Sequence, residues 1–208
     1  IMFSRREYKQ PELPAVVPID KKIDVRPISN TDHVLGNPDA QVLIVEYSDF
    51  ECPACKEFHP IMQRIIDEYG KKGEVAWVYR HFPIEGVHAN ALGAAKASEC
   101  VADVGGAKKF WDFADIVFDE APNSLLPENL RHIATSLEID DVKYDACLLL
   151  NKFDSKINSD IADGKLIYTN DASFGTPYII VTSKSGIQTQ ISGVQEYEEL
   201  VELIEAIK

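Results

Sequence analysis

Cys52-Pro53-Ala54-Cys55 places two thiols with two residues between them. Sulfurs so spaced can close a small disulfide and reopen it, and the more acidic, more accessible one is what a partner attacks. The pair falls where an apolar run, Val42-Leu43-Ile44-Val45-Glu46-Tyr47, gives way to helical spacing at Phe58, Ile61, Met62, Ile65, Ile66 and Tyr69. The first turn of a helix presents unpaired backbone N–H groups and a partial positive charge, and both favour a thiolate. Cys52 is expected at the cap and partly exposed, with Cys55 shielded one turn in. Pro53 suits the first helical position, where its missing N–H has no partner to lose. The reading fails if Cys52 is buried or holds a metal ion.

Two other uses of a C-x-x-C are weaker. Half of a structural zinc site needs two more ligands. There is no second C-x-x-C, and His59, His81, Cys100 and Cys147 are scattered. A c-type haem needs His after the second Cys, where this chain has Lys56. Neither a metal nor another cofactor is expected.

The elements that must hold the pair can be read from periodicity. Val42–Tyr47 is apolar apart from Glu46, as for a strand covered on both faces. Pro53–Tyr69 reads as a helix stopped by Gly70, and Val75–Phe82 as a second strand ending at Pro83. Strand, helix and strand imply a right-handed crossover and a parallel pair. Upstream, Ile23, Val25 and Ile28 suggest an edge strand over Lys22–Ile28, and Gly36-Asn37-Pro38-Asp39 a turn. About 90 residues then read as helical. They comprise Ala-rich His88–Val104, the stripe Phe110–Phe118 with Trp111, Pro127–Leu137, a helix capped by Asp140 or Asp141, and one reaching Tyr168. Tyr178–Thr182 and Ile187–Ile191 form a hairpin about Ser185-Gly186, and Tyr197–Ile207 a closing amphipathic helix. The expected division is a tail and edge strand over 1–30, sheet domain over 31–86, helical insertion over 87–155, and the rest of the sheet domain over 156–208.

Composition narrows the function. The chain has 208 residues, 34 acidic against 21 basic, for a net charge of -13. Nucleic-acid binding needs clustered Lys and Arg, so no such partner is expected. No apolar run approaches the ~18 residues of a membrane span. Four cysteines are too few for a disulfide-scaffold miniprotein. Ile1–Ile19, with Pro11, Pro14 and Pro18, reads as an extended tail. It has no basic-then-apolar leader, so any secretory segment or membrane anchor is expected upstream, and the membrane enters only through such an anchor.

Glu46-Tyr47-Ser48-Asp49-Phe50-Glu51-Cys52-Pro53-Ala54-Cys55, followed by Phe174-Gly175-Thr176-Pro177-Tyr178-Ile179-Ile180-Val181, resembles the DsbA-like branch of the thioredoxin superfamily. The resemblance runs from about Asp32 to the C-terminus. It implies an α/β thioredoxin-like fold with a helical domain inserted between its two halves. It also implies a thiol–disulfide oxidoreductase of the bacterial cell envelope, periplasmic or tethered, that oxidises cysteine pairs in exported protein substrates. A membrane protein passing electrons to quinone would reoxidise it. By the same resemblance Cys52 is the attacked sulfur, Cys55 the resolving one, and Thr176-Pro177 a cis-proline loop. Thr176 would pair with an extended substrate strand; the bland reading of Pro177 is a proline opening the strand at Tyr178. Glu46 stands where the superfamily often keeps a buried acid. Buried there, its pKa is raised and it can take the proton of Cys55; alternatively it points to solvent.

One departure has consequences. The strong oxidases of this family carry His where Ala54 stands, and Ala offers the Cys52 thiolate neither charge nor hydrogen bond. Asp49 and Glu51 oppose the thiolate and Lys56 partly compensates, so Cys52 is expected to be less acidic than in the His-containing type. Reductase or isomerase chemistry at the same pair therefore stays open, as does a binding or chaperone module. Cys100 and Cys147, on apolar faces of two insertion helices, are expected to form a structural disulfide in an oxidising compartment. His81 and His88 read as solvated loop residues, the alternative being that they line the rim of the active site. Glu196, Glu198, Glu199, Glu202 and Glu205 read as a solvated helix face.

Overall fold

The computed structural model describes residues 23–121, 125–168 and 175–208. The tail expected over Ile1–Ile19, Pro122 and Phe174 lie outside the described residues.

β1 (His33–Gly36), β2 (Val42–Ser48), β3 (Val75–His81), β4 (Tyr178–Ser183) and β5 (Gln188–Ser192) form one sheet in the order β1-β3-β2-β4-β5. β2 and β3 are parallel, as the crossover requires, with Glu46 beside Tyr79 and Ile44 beside Trp77. The other pairings are antiparallel. Between β2 and β3 runs α1 (Pro53–Ile65), whose last turn widens into a π-helical turn over Ile66–Gly70.

The edge strand is not the one read from the sequence. Residues 23–28 are unpaired, and β1 lies five residues further on. Ile23, Val25 and Ile28 do pack on the core, but side chains take the backbone donors: Ile23 N–H donates to Gln188 Oε1 at 3.0 Å and Arg26 N–H to Asp163 Oδ1 at 3.1 Å. Apolar alternation there reports burial without a ladder. Gly36 ends β1 at φ +102°, where a Cβ would sit 2.7 Å from the Val75 carbonyl.

Between β3 and β4 come α2 (Ala91–Gly105), α3 (Ala107–Glu120), α4 (Pro127–Ser136), α5 (Asp141–Leu149) and α6 (Asp154–Tyr168), and α7 (Tyr197–Ile207) closes the described chain. Asp140 caps α5 by accepting from Lys143 N–H at 2.9 Å. Phe110, Trp111, Phe113, Val117 and Phe118 are buried, so the aromatic stripe is core.

Strand side chains alternate between two faces. On one, Val42, Ile44, Trp77, Tyr79, Ile179 and Val181 pack with α1, α7 and the insertion helices in a single core. On the other, Val45, Tyr47, Val78, Phe82, Tyr178 and Ile180 meet Ile161 and Ile167 of α6. Gly164 lets α6 approach closely, since a Cβ there would be 2.6 Å from the Phe82 ring. Cys100 on α2 and Cys147 on α5 are joined in a disulfide, their Cα atoms 5.7 Å apart.

Candidate active site

β2 and its following turn deliver Cys52 to the start of α1. The residue has extended geometry, φ -75° and ψ 121°, and Pro53 opens the helix. Cys55 is fully buried and Cys52 retains 8% of its surface. Cys52 is thus buried, the outcome named above as the failure of the sequence reading, and the expectation of a partly exposed sulfur is overturned. The reason is the strand entering β4: the Thr176–Pro177 peptide bond is cis, and the Thr176 carbonyl lies 3.2 Å from Cys52 Sγ. The Thr176 carbonyl covers the sulfur, so the reading of Cys52 as the attacked atom rests on its place at the start of α1 and not on exposure.

The two thiols are driven apart in acidity. Cys52 is lowered from 9.0 to about 5, chiefly because the Cys55 thiol donates to its anion, then by Thr176 and the backbone N–H groups of Cys55 and Ala54, against the opposing effect of burial. Those N–H groups are the ones a helix start leaves unpaired. Cys55 is raised well above its ordinary value, first by burial. Glu46 is 1% exposed, so it does not point to solvent. Burial raises its carboxyl to about 7, although the Trp77 indole N–H donates to Oε2 at 2.8 Å.

The charged neighbours of the motif have hydrogen-bond partners of their own. The Lys56 ammonium donates to the carbonyls of Asp119 and Ala121, each at 2.8 Å, at the C-terminal end of α3. Asp49 and Glu51 are engaged by the loop after β3. Asp49 Oδ2 accepts from Ile84 N–H and meets His88 Nδ1, both at 2.8 Å, and Glu51 Oε2 accepts from Asn90 N–H at 2.6 Å. His88 is therefore tied down. His81 is no rim residue: it ends β3 fully buried.

None of the scattered ligands joins the C-x-x-C. His59 Nε2 meets Asp115 at 2.8 Å, and Cys100 and Cys147 bond each other. The sequence held no expectation of a metal, yet His33, His81 and Glu99 converge in the core with donor atoms that could hold one. Lys156 Nζ, 2.7 Å from Glu99 Oε1, already brings a positive charge to that carboxylate.

Sequence reasoning missed Ser48, Trp77 and Tyr79. The period-2 pattern of β2 could have placed Ser48 on the face of Glu46; Trp77 and Tyr79 needed the β2–β3 register.

A thioredoxin family model matches residues 29–206. The chain belongs to the DsbA-like branch of the thioredoxin superfamily. Among solved structures, it is 27% identical to oxidised BdbD from Bacillus subtilis, with a TM-score of 0.72 over 90% of this chain and 98% of that one. It is 26% identical to DsbA2 of Pseudomonas aeruginosa, with a TM-score of 0.68 over 88% and 97%. Curated relatives include the Na(+)/H(+) antiporter NhaA 1 of Mycolicibacterium vanbaalenii, 31% identical over 79% of this chain but only 25% of the antiporter. The chain thus spans about a quarter of the length of those relatives, and among the described residues no helix is long and apolar enough to cross a membrane. The DsbA-like family brings a scaffold for thiol–disulfide oxidoreductase chemistry.

Proposed function

We propose that the protein introduces disulfide bonds into exported, cysteine-containing proteins outside the cytoplasm, using Cys52 and Cys55. A substrate thiolate attacks Cys52 Sγ, the Cys52–Cys55 bond breaks, and Cys55 leaves as a thiolate that takes up a proton. A second substrate thiolate attacks the substrate sulfur of the mixed disulfide and releases the Cys52 thiolate. The substrate loses two electrons and the enzyme gains them. Passing those electrons on requires an oxidant, and a membrane protein linked to quinone fits that role.

The observation carrying this reading is the geometry of the pair, with Cys52 at the start of α1 and 3.2 Å from the Thr176 carbonyl and Cys55 fully buried one turn in, which drives the two thiols apart in acidity. Stabilising the reduced form makes a disulfide a better oxidant. Glu46 is the group to exchange the Cys55 proton, being buried and raised to about 7. Thr176, whose carbonyl accepts from Cys52 in the free protein, would offer its backbone to an extended substrate.

The test compares oxidative refolding of a reduced cysteine protein with insulin reduction, and equilibrates the couple with glutathione. Refolding lost in Cys52→Ser supports the reading. Insulin reduction outpacing refolding turns it to a reductase, and activity independent of Cys52 in both assays leaves a binding or chaperone module.

A further inference from the structure

Beneath Cys55 the α1-facing side of the sheet carries a line of polar groups in an otherwise apolar core. Alternation along β2 puts Ser48 on the face of Glu46, and the β2–β3 register sets Tyr79 beside Glu46. Ser48 and Glu46 are each 1% exposed, and Tyr79 and Cys55 are fully buried. The hydroxyls of Ser48 and Tyr79 are buried and make no hydrogen bond of full geometry, although Ser48 lies within bonding reach of Glu46, Cys55 and Tyr79. Buried hydroxyls nearly always find a partner, and one left without costs about 1–3 kcal/mol. Ser48 is not remote from its neighbours, however. Its hydroxyl acts on Glu46, Cys55 and Tyr79 and favours the anion of each. It is a hub close to three groups and committed to none.

We propose that the Ser48 hydroxyl bridges Cys55 and Glu46 and relays the proton between them. This rests on the disulfide-exchange reading above. When Cys55 resolves a mixed disulfide on Cys52, its S–H proton passes to Ser48 Oγ while the Ser48 proton passes to the Glu46 carboxylate. One S–H bond is broken, one O–H bond is formed on Glu46, and Ser48 ends unchanged. The Cys55 thiolate then attacks Cys52 Sγ; the Cys52–Cys55 bond forms, the bond to the partner sulfur breaks, and the partner leaves as a thiolate. In the oxidising direction the same proton runs from Glu46 through Ser48 to the departing Cys55. A hydroxyl bonded firmly to one neighbour could not serve both sides, so its lack of a fixed partner suits the task. Trp77, donating to Glu46 Oε2, holds the acceptor in place.

The aromatic disulfide DTNB separates the steps. The first equivalent of coloured thiolate released from the reduced protein reports attack by Cys52, and the second reports resolution by Cys55. Ser48→Ala should slow the second phase about 10-fold or more, within the range of general acid–base catalysis, and leave the first unchanged. It should reduce the solvent deuterium effect on the second phase, and Ser48→Thr should restore both. Ser48→Ala/Glu46→Gln should be no slower than Glu46→Gln alone, since both act on one proton path. Because the Ser48 hydroxyl makes no bond of full geometry, Ser48→Ala should change the melting temperature little. An unchanged second phase, independent multiplication of the two defects, or loss of both phases with a lower melting temperature overturns the relay. A first phase that persists without Cys52 overturns the exchange reading itself, a separate result.

Discussion

The acidity of Cys52 sets how oxidising the couple is, and the structure allows this to be worked through. Lowering the thiol from 9.0 to about 5 makes the thiolate the main species of the reduced protein at neutral pH. At pH 7 linkage turns this difference into about 3 kcal/mol in favour of the reduced state, or roughly 60 mV for a two-electron couple. Thiols of such motifs range from about 3.5 in DsbA to about 7 in thioredoxin, so this site falls between them. Ala54→His tests the reason. Ala54 is partly exposed beside Cys52, so an imidazole has room there. A cation a few ångströms away lowers a neighbouring acid by about 1–3 units. Because Cys52 already titrates below neutrality, every further unit adds about 30 mV.

Ultraviolet thiolate absorbance gives the first quantity and glutathione equilibration the second, on wild type and Ala54→His alike. The expected results are a wild-type transition near pH 5 and, in the variant, a lower transition with a potential raised by about 30 mV or more. The folded value lies below the unfolded one, so this contribution to the stability of the reduced protein is complete above about 9 and vanishes as pH falls through about 5. The melting advantage of reduced over oxidised protein should shrink over that window. A wild-type transition near 9, or a variant that moves neither quantity, refutes the reasoning.

Thr176→Val removes a hydroxyl that favours the Cys52 anion, so the thiolate transition should rise and the potential fall, by about 30 mV per unit, in the same two measurements. Cys100→Ala/Cys147→Ala opens a loop of sequence separation 47, which the chain-entropy model values at about 4 kcal/mol, so urea denaturation should show that loss while DTNB kinetics at Cys52 stay unchanged. Arg80→Met leaves Asp32 and Asp163 without the buried guanidinium they share, and denaturation should reveal a loss of about 3–5 kcal/mol.

What could be read beforehand followed from local rules. β2, α1 and β3 announce themselves through a change of hydrophobic period, and the hairpin through Ser185-Gly186, with Gly186 at φ +92°. Cys52 and Cys55 are legible because helix-start chemistry is local. The misses share one physical cause, contact between residues far apart in sequence. Lys56 is bound by carbonyls at the end of α3, Asp49 and Glu51 by the loop after β3, and the donors of residues 23 and 26 by side chains more than 130 positions away. His81 looks like a loop residue because Pro83 follows closely, yet Glu99 on α2 draws it inward at 2.9 Å.

The same two strands serve two purposes, and polar satisfaction tells them apart. On the α6 face Arg80 is closed on every side: Nε donates to Asp32 at 2.9 Å, Nη1 to Asp163 at 2.6 Å, and Nη2 to the Arg26 carbonyl at 2.8 Å. The Tyr47 hydroxyl donates to Asp163 as well, and Lys156 links Asp160 to Glu99. Arg26 Nε in this network is buried without a partner, but the Arg80 guanidinium is paired throughout and holds geometry, because any rearrangement strands a charge. One residue along each strand, on the α1 face, Ser48 and Tyr79 keep hydroxyls that make no hydrogen bond of full geometry beside Cys55 and Glu46. A sheet that fastens α6 through the Arg80 ion pairs can leave the opposite face free for the proton movement proposed at Cys55.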